Sequence, residues 1–297
     1  MRSSSHTGGR KRPLDNTKDK DTKRYPGSGP NTLYVVGIGP GEKAHFSARA
    51  LEVIHRVSTV VGYTTYIDLI RDMLSEDQKI ISTGMTKEMQ RVNAAIDVAV
   101  AGRSCAIVSS GDPGIYAMAG LVLEICESRS ISVRPSHGQN AYSEHTSPLE
   151  LEVVPGIPAL CSGASLLGAP LMHDFAAISL SDLLTPWQTI ENRLSAAAQA
   201  DFVIAIYNPA SRRRRENLAR AKEIILEYRD GETPVGIIKS AMRKKQDVRI
   251  VSLKDLDCRQ VDMLTTLFIG NSTTRTYLDF MVTPRGYSDK YTLENGG

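Results

Sequence analysis

The chain has 297 residues, 41% of them hydrophobic and 23% charged, a make-up that suits a globular protein of roughly two domains. It contains no apolar run approaching the roughly 20 residues of a membrane span and no hydrophobic signal core at its start, so the expectation is a cytoplasmic protein without a membrane. Four scattered cysteines (Cys105, Cys126, Cys161, Cys258) with no C-x-x-C spacing speak against disulfides and a zinc cluster.

The net charge of +3 belongs to the beginning of the chain. Residues 1–30 hold eight Lys or Arg against three Asp, a balance of +5, which leaves about −2 for everything after them. This Ser-, Gly- and Lys-rich stretch reads as a disordered tail. The remainder has no basic excess, so no nucleic-acid partner is expected.

From residue 33 onward, strand and helix patterns alternate. Apolar, β-rich runs lie at Leu33–Ile38, Thr59–Val61, Cys105–Ser109, Leu151–Val154, Ala177–Leu180, Phe202–Tyr207, Val235–Ile238 and Leu264–Ile269. Helical spacing links Met85, Met89, Val92, Ile96 and Val100, and again Leu218, Ile225 and Tyr228. The methionines of the first series are read as core filler. Such alternation predicts an α/β protein in which each domain has a mostly parallel sheet flanked by helices. The expected division is a 1–30 tail, a 31–157 domain, a 158–288 domain and a flexible 289–297 end, with the active site in the cleft between domains. Pro135–Pro148 reads as a polar surface loop, and its His137 and His145 as solvated residues. No metal site is expected.

The first run stops in Gly37-Ile38-Gly39-Pro40-Gly41. A Rossmann loop needs G-x-G-x-x-G, with its last glycine placed for helix packing. Here the third glycine comes early, and Pro40 has no N–H to donate. The loop is suited to a small molecule held against bare backbone, but not to NAD; the alternative is a βα turn that binds nothing. A second loop, Ser109-Ser110-Gly111-Asp112-Pro113-Gly114-Ile115-Tyr116, also leaves a buried strand and precedes a helix over Ala117–Glu127. Asp112 there could accept hydrogen bonds from a ligand or cap the helix. The third, Val154-Pro155-Gly156-Ile157-Pro158-Ala159, opens a small-residue segment suited to close approach, either to a ligand or to a sheet. Tyr207-Asn208-Pro209 ends a strand and is followed by Arg212–Arg215, either a solvated face or forks for carboxylates. Ser181-Asp182 ends another strand, just before the single tryptophan, Trp187, and is suited to acid/base work or substrate anchoring.

In this order the segments Val36–Gly41, Ser110–Tyr116 and Val154–Ile157 resemble the tetrapyrrole (precorrin/corrin) methyltransferases, a two-domain α/β family. Val61–Tyr66, Ser82–Met85, Ser179–Trp187, Tyr207–Pro209 and Thr283–Tyr287 make the chain look most like the branch that methylates C17 of precorrin-3B. The resemblance covers about Leu33 to Tyr287. It implies S-adenosyl-L-methionine held by Gly39, Pro40 and Gly41, by Gly111, Asp112 and Tyr116, by Pro158 and Ala159, and by Tyr207, Asn208, Ala241 and Met242. Relatives commonly carry Gly-Asp-Pro after the first loop, where this chain has Glu42-Lys43.

The implied reaction is C17 methylation of precorrin-3B with ring contraction to precorrin-4 in cobalamin biosynthesis, by a homodimer. The cobalt-containing counterpart, cobalt-factor III, is the alternative substrate. A nucleotide-linked oxidoreductase and a simple binding module are more remote readings. The former lacks an acidic residue at the end of the strand Thr59–Val61, which runs into Gly62-Tyr63. Methyl transfer from a sulfonium mainly needs positioning, which supplies roughly 7–11 kcal/mol of the barrier. Ring contraction also needs proton traffic, for which Asp182 with Ser181 is the candidate. Arg212, Arg243 and Arg285 are the candidates for the macrocycle's carboxylate arms.

Overall fold

A computed structural model describes residues 31–136, 148–211 and 215–291, and everything structural below refers to these. The tail, His137, His145, Arg212 and the last six residues therefore lie outside the described residues.

The first sheet has the order β3-β2-β4-β1-β6-β5, every neighbouring pair parallel. Its strands are β1 (Thr32–Gly37), β2 (Thr59–Tyr63), β3 (Lys79–Thr83), β4 (Cys105–Ser109), β5 (Val133–Pro135) and β6 (Leu149–Val154), and α1 (Ala48–Arg56), α2 (Thr64–Ile70), α3 (Glu88–Val100) and α4 (Met118–Ser128) alternate with them. Strand β1 is buried throughout because helices cover both faces of a parallel sheet. Leu33 and Val35 join Val92 and Ile96 of α3 and Val122 of α4, whereas Tyr34 and Val36 join Ile54 of α1 and Ile67 of α2. Alternate residues of one strand thus serve two cores.

After β6 the chain enters α5 (Ala159–Leu167), β7 (Gly168–Ala169), β8 (Phe175–Ser179), α6 (Trp187–Gln199), β9 (Val203–Tyr207), α7 (Asn217–Leu226), β10 (Pro234–Lys239), β11 (Asp247–Ser252), β12 (Thr265–Ile269), β13 (Arg275–Tyr277) and β14 (Phe280–Val282). The second sheet runs β11-β10-β12-β9-β8, and only β8 and β9 pair in parallel. The expectation of a mostly parallel sheet holds for the first sheet and is corrected for the second. β10 and β11 are joined by a short hairpin, which admits only antiparallel pairing. Ile204 and Ile206 of β9 pack with Leu194 of α6 and Leu218 of α7, while Ala205 faces Leu167 and Phe268 on the other side. The small residues of α5 serve this packing, since a Cβ on Gly163 would lie 2.7 Å from the Phe268 ring. A small third sheet joins β13, β14 and β7.

Two expectations about side chains fail. Met85 and Met89 are 58% and 57% exposed, so they are not core filler; the buried stripe of α3 runs through Val92 and Ile96 instead. Tyr228 lies beyond the end of α7 and is exposed. Among the described residues no helix is long and apolar enough to cross a membrane, and no group of three or more His, Cys, Asp or Glu is placed to hold a metal.

Candidate active site

Strands β4, β1 and β6 are neighbours at the centre of the first sheet, so their carboxyl ends deliver the three glycine-containing loops to one place. That end of a parallel sheet is where open α/β folds bind ligands. The loops touch through backbone. Gly39 and Gly111 exchange hydrogen bonds of 3.1 and 2.7 Å, both in the left-handed region with φ of 59° and 70°. A Cβ on Gly37 would lie 2.6 Å from the Gly111 carbonyl oxygen, and one on Gly156 would lie 2.3 Å from it. Gly37 and Gly156 are thus needed for the loops to approach one another. Pro158 and Ala159 come next to Gly111, their Cα and N 3.7 and 3.9 Å from where its Cβ would be.

Asp112 makes two bonds within this cluster and does not cap α4, whose N-cap is Ala117. One carboxylate oxygen accepts from the Gly114 N–H at 2.8 Å, the other from the Gly156 N–H at 3.2 Å. The carboxylate therefore fastens the β4 loop to the β6 loop. Ser47, at the start of α1, adds a bond from its hydroxyl to the Pro155 carbonyl at 3.3 Å. Glu42 is exposed and opens the short 3-10 turn Lys43–His45 without a side-chain cap.

In the second sheet β8, β9 and β10 all point the same way, because β12 is antiparallel to both β9 and β10. Their ends carry Ser181 and Asp182, Tyr207 and Asn208, and Ala241 to Arg243. These loops meet those of the first sheet. The Tyr116 and Tyr207 rings lie 5.1 Å apart at 56°, and the Tyr116 hydroxyl donates to the Ala177 carbonyl of edge strand β8 at 2.8 Å. The Tyr207 hydroxyl in turn accepts from the Leu160 N–H at 2.8 Å, satisfying one of the unpaired donors at the start of α5. Burial pushes both phenols up, that of Tyr207 to about 12, so both stay neutral hydrogen-bonding groups. Asn208 donates to the Ser179 hydroxyl at 3.0 Å, and the same oxygen accepts from the Ser181 N–H at 3.2 Å. Asp182 is exposed beside Leu183 and Leu184, which are 74% and 98% exposed.

Tyr116, Asn208, Ser240 and Met242 have φ between 50° and 55°. Non-glycine residues rarely enter this region, and strain of this kind gathers at binding sites. These are four of the nine non-glycine residues with positive φ among the described residues, and their place at the facing ends of two sheets is a signal that no sequence pattern carries.

The arginines divide. Arg243 reaches from the β10 end to the first sheet, donating to the Pro40 carbonyl and, at 2.9 Å, to the Ser110 hydroxyl. Arg285 is not at the cleft. It donates to the Met172 carbonyl at 3.3 Å and lines a hollow of about 480 Å³ with His173, Asp201 and Arg275, at the amino ends of β8 and β9. The strands run away from it toward Ser179 and Tyr207, so its expected place among the substrate residues is corrected. Sequence reasoning also missed Arg91, which is 4% exposed. It donates to the Thr83 hydroxyl at 2.9 Å and the Gly84 carbonyl at 3.1 Å, fixing the end of β3. A cation on the apolar face of α3 was the available signal.

Comparison with known proteins agrees with this architecture. Residues 32–257 match the family Tetrapyrrole (Corrin/Porphyrin) Methylases. The chain is 49% identical over 261 residues to a cobalt-factor III methyltransferase of Priestia megaterium, covering 88% of this chain but 46% of that protein, so it spans about half the length of that relative. It is 46% identical to a probable cobalt-factor III C(17)-methyltransferase of Salmonella typhimurium, covering 86% of this chain and 99% of the relative. The crystal structure of the methyltransferase CobJ superposes with a TM-score of 0.76 at 31% identity, over 86% of this chain and all of that one. The chain belongs to the tetrapyrrole (corrin/porphyrin) methylase family.

Proposed function

We propose that the protein transfers a methyl group from S-adenosyl-L-methionine to C17 of a tetrapyrrole in cobalamin biosynthesis, with contraction of the macrocycle. The observation that carries this reading is the meeting of six strand ends: the glycine loops of β1, β4 and β6 face those of β8, β9 and β10, joined by Tyr116, Tyr207 and Arg243. The residues suit the donor. Gly39–Gly41, Gly111, Pro158 and Ala159 present small, neutral main-chain surface against which such a donor can lie closely. Tyr207, Asn208, Ala241 and Met242 offer a partly apolar wall for a purine. When bound, S-adenosyl-L-methionine supplies a methyl group already activated on sulfur.

The work left to the protein is orientation and proton handling. Asp112 and the Gly39–Gly111 bridge hold the loops of the first sheet in one arrangement. Tyr116 and Tyr207 fix the second sheet against them, and loops held in one arrangement can bring two bound reactants together in the orientation that transfer needs. Asp182 with Ser181 remains the candidate for moving protons during contraction. Its exposed loop beside two exposed leucines is suited to closing over a large acceptor.

Metal-free precorrin-3B is the acceptor expected from sequence. The names borne by the Priestia and Salmonella relatives favour the second acceptor, cobalt-factor III. Incubation with methyl-labelled donor and either macrocycle, followed by mass spectrometry, decides between them. Label in the cobalt product alone selects cobalt-factor III, label in the metal-free product alone selects precorrin-3B, and label in neither defeats the proposal. A division into units 31–157 and 158–288, a homodimer and a cytoplasmic location belong to the same reading. Limited proteolysis, sedimentation equilibrium and cell fractionation test them in turn.

A further inference from the structure

Near the sheets Arg91 and Arg229 are buried, and Arg49 and Arg243 are half-buried. Three of these four have acidic company. Arg49 pairs with Glu152 at 2.6 Å and Glu52 at 2.8 Å, and Arg229 with Asp201 at 3.0 Å. Arg91 has Glu88 one turn away, which helps hold its proton. Arg243 differs. Its partners among the described residues are both neutral, the Pro40 carbonyl and the Ser110 hydroxyl, and they use Nε and Nη2. Burial lowers its pKa, and the one group opposing that effect is the Tyr66 phenol, itself raised by burial.

A guanidinium even partly removed from water without a counter-charge carries a cost, and proteins normally pair it. The arrangement is maintained here at the junction of the β1, β4 and β10 loops, where the family's ligands are read to lie. The fork geometry leaves Nη1 for a further acceptor, and a carboxylate is the acceptor that matches a guanidinium in both shape and charge.

We propose that Arg243 is the carboxylate anchor of the cleft, completing its charge with an acidic group of a bound ligand while Pro40 and Ser110 hold the guanidinium in place. Two ligands carry such a group: the amino-acid end of the methyl donor and the acid arms of the macrocycle. The inference rests on the methyltransferase reading and names the contact that would orient one of its two reactants.

The test uses the full chain with Arg243→Gln, which keeps a donor for Pro40 but no charge, and Arg243→Lys, which keeps the charge. Binding of S-adenosylhomocysteine and of 5′-methylthioadenosine, which lacks the amino-acid end, is measured by calorimetry alongside KM for the macrocycle. If the donor's carboxylate is held, R243Q weakens S-adenosylhomocysteine roughly 10- to 100-fold, the scale of a charged hydrogen bond, and R243K weakens it less. Methylthioadenosine then stays within about threefold. If a macrocycle arm is held, S-adenosylhomocysteine is unchanged and KM for the macrocycle rises by a similar factor with kcat nearly preserved. Equal weakening of both nucleosides with an unchanged macrocycle KM reduces Arg243 to a loop latch and overturns the proposal, as does no change at all. Failure of the unmodified protein to bind either nucleoside defeats the donor reading, and the anchor falls with it.

Discussion

The ring of Tyr116 lies 5.1 Å from that of Tyr207, and through this pair the β4 loop of one sheet rests on the β9 loop of the other. The two hydroxyls do different work. That of Tyr116 bonds a carbonyl on an exposed edge, while that of Tyr207 accepts from the first turn of α5. Tyr207→Phe should therefore cost about 1–3 kcal/mol, because a shielded N–H loses its acceptor, and Tyr116→Phe less than about 1 kcal/mol. Urea unfolding compares them; equal losses would show that the helix start does not depend on Tyr207.

Stability at high pH reports the same residue. Burial raises the Tyr207 phenol from 10.0 to about 12, so the folded protein holds this proton more tightly than the unfolded chain does. Its contribution is complete below pH 10 and is lost as pH rises through 12, on the order of 2 kcal/mol in all. In Tyr207→Phe this part of the alkaline loss should be missing. Curves for the two proteins that fall in parallel across that interval would contradict it.

Gly156 should accept no side chain. Its added Cβ would stand 2.3 Å from the Gly111 carbonyl oxygen, which is backbone and cannot swing aside. Gly156→Ala is expected to cost more than about 2 kcal/mol and to abolish binding of S-adenosylhomocysteine as the loops part. Gly84→Ala, with nothing within 4 Å of the new atom, is the control and should fall within about 0.5 kcal/mol of the parent. Similar behaviour of the two variants would break the close-approach argument.

Asp112→Ala removes the acceptor for both Gly114 and Gly156. A loss of about 1–3 kcal/mol is expected, with Asp112→Asn intermediate because its amide oxygen still accepts one bond. Stability in the two variants is read from thermal unfolding. If Asp112→Ala unfolds like the parent, the carboxylate does not fasten the loops.

Asp182→Asn addresses proton handling in the proposed reaction. Turnover should fall roughly 10²-fold or more, the scale of general acid–base catalysis, while affinity for S-adenosylhomocysteine stays within about twofold. Unchanged turnover would remove Asp182 from the mechanism.

Much of this protein was legible in its residues before any fold was known. The central strands β1, β4, β9 and β12 are buried on both faces, so they are written as continuous apolar runs, and their glycine or Asn-Pro endings mark where loops begin. Edge strands β3 and β11 were not legible. Each is paired on one side and largely or partly exposed, so Lys79–Thr83 and Asp247–Ser252 carry no apolar run. Tertiary structure alone decided the antiparallel turn of β12, which depends on chain connection rather than composition. It also decided the partners of Asp112, the separation of Arg285 from the cleft, and the reach of Arg243 to Pro40 over 203 positions. A local pattern records what each segment must bury. Which loops then face each other follows from strand order and direction, and those are properties of the assembled sheets.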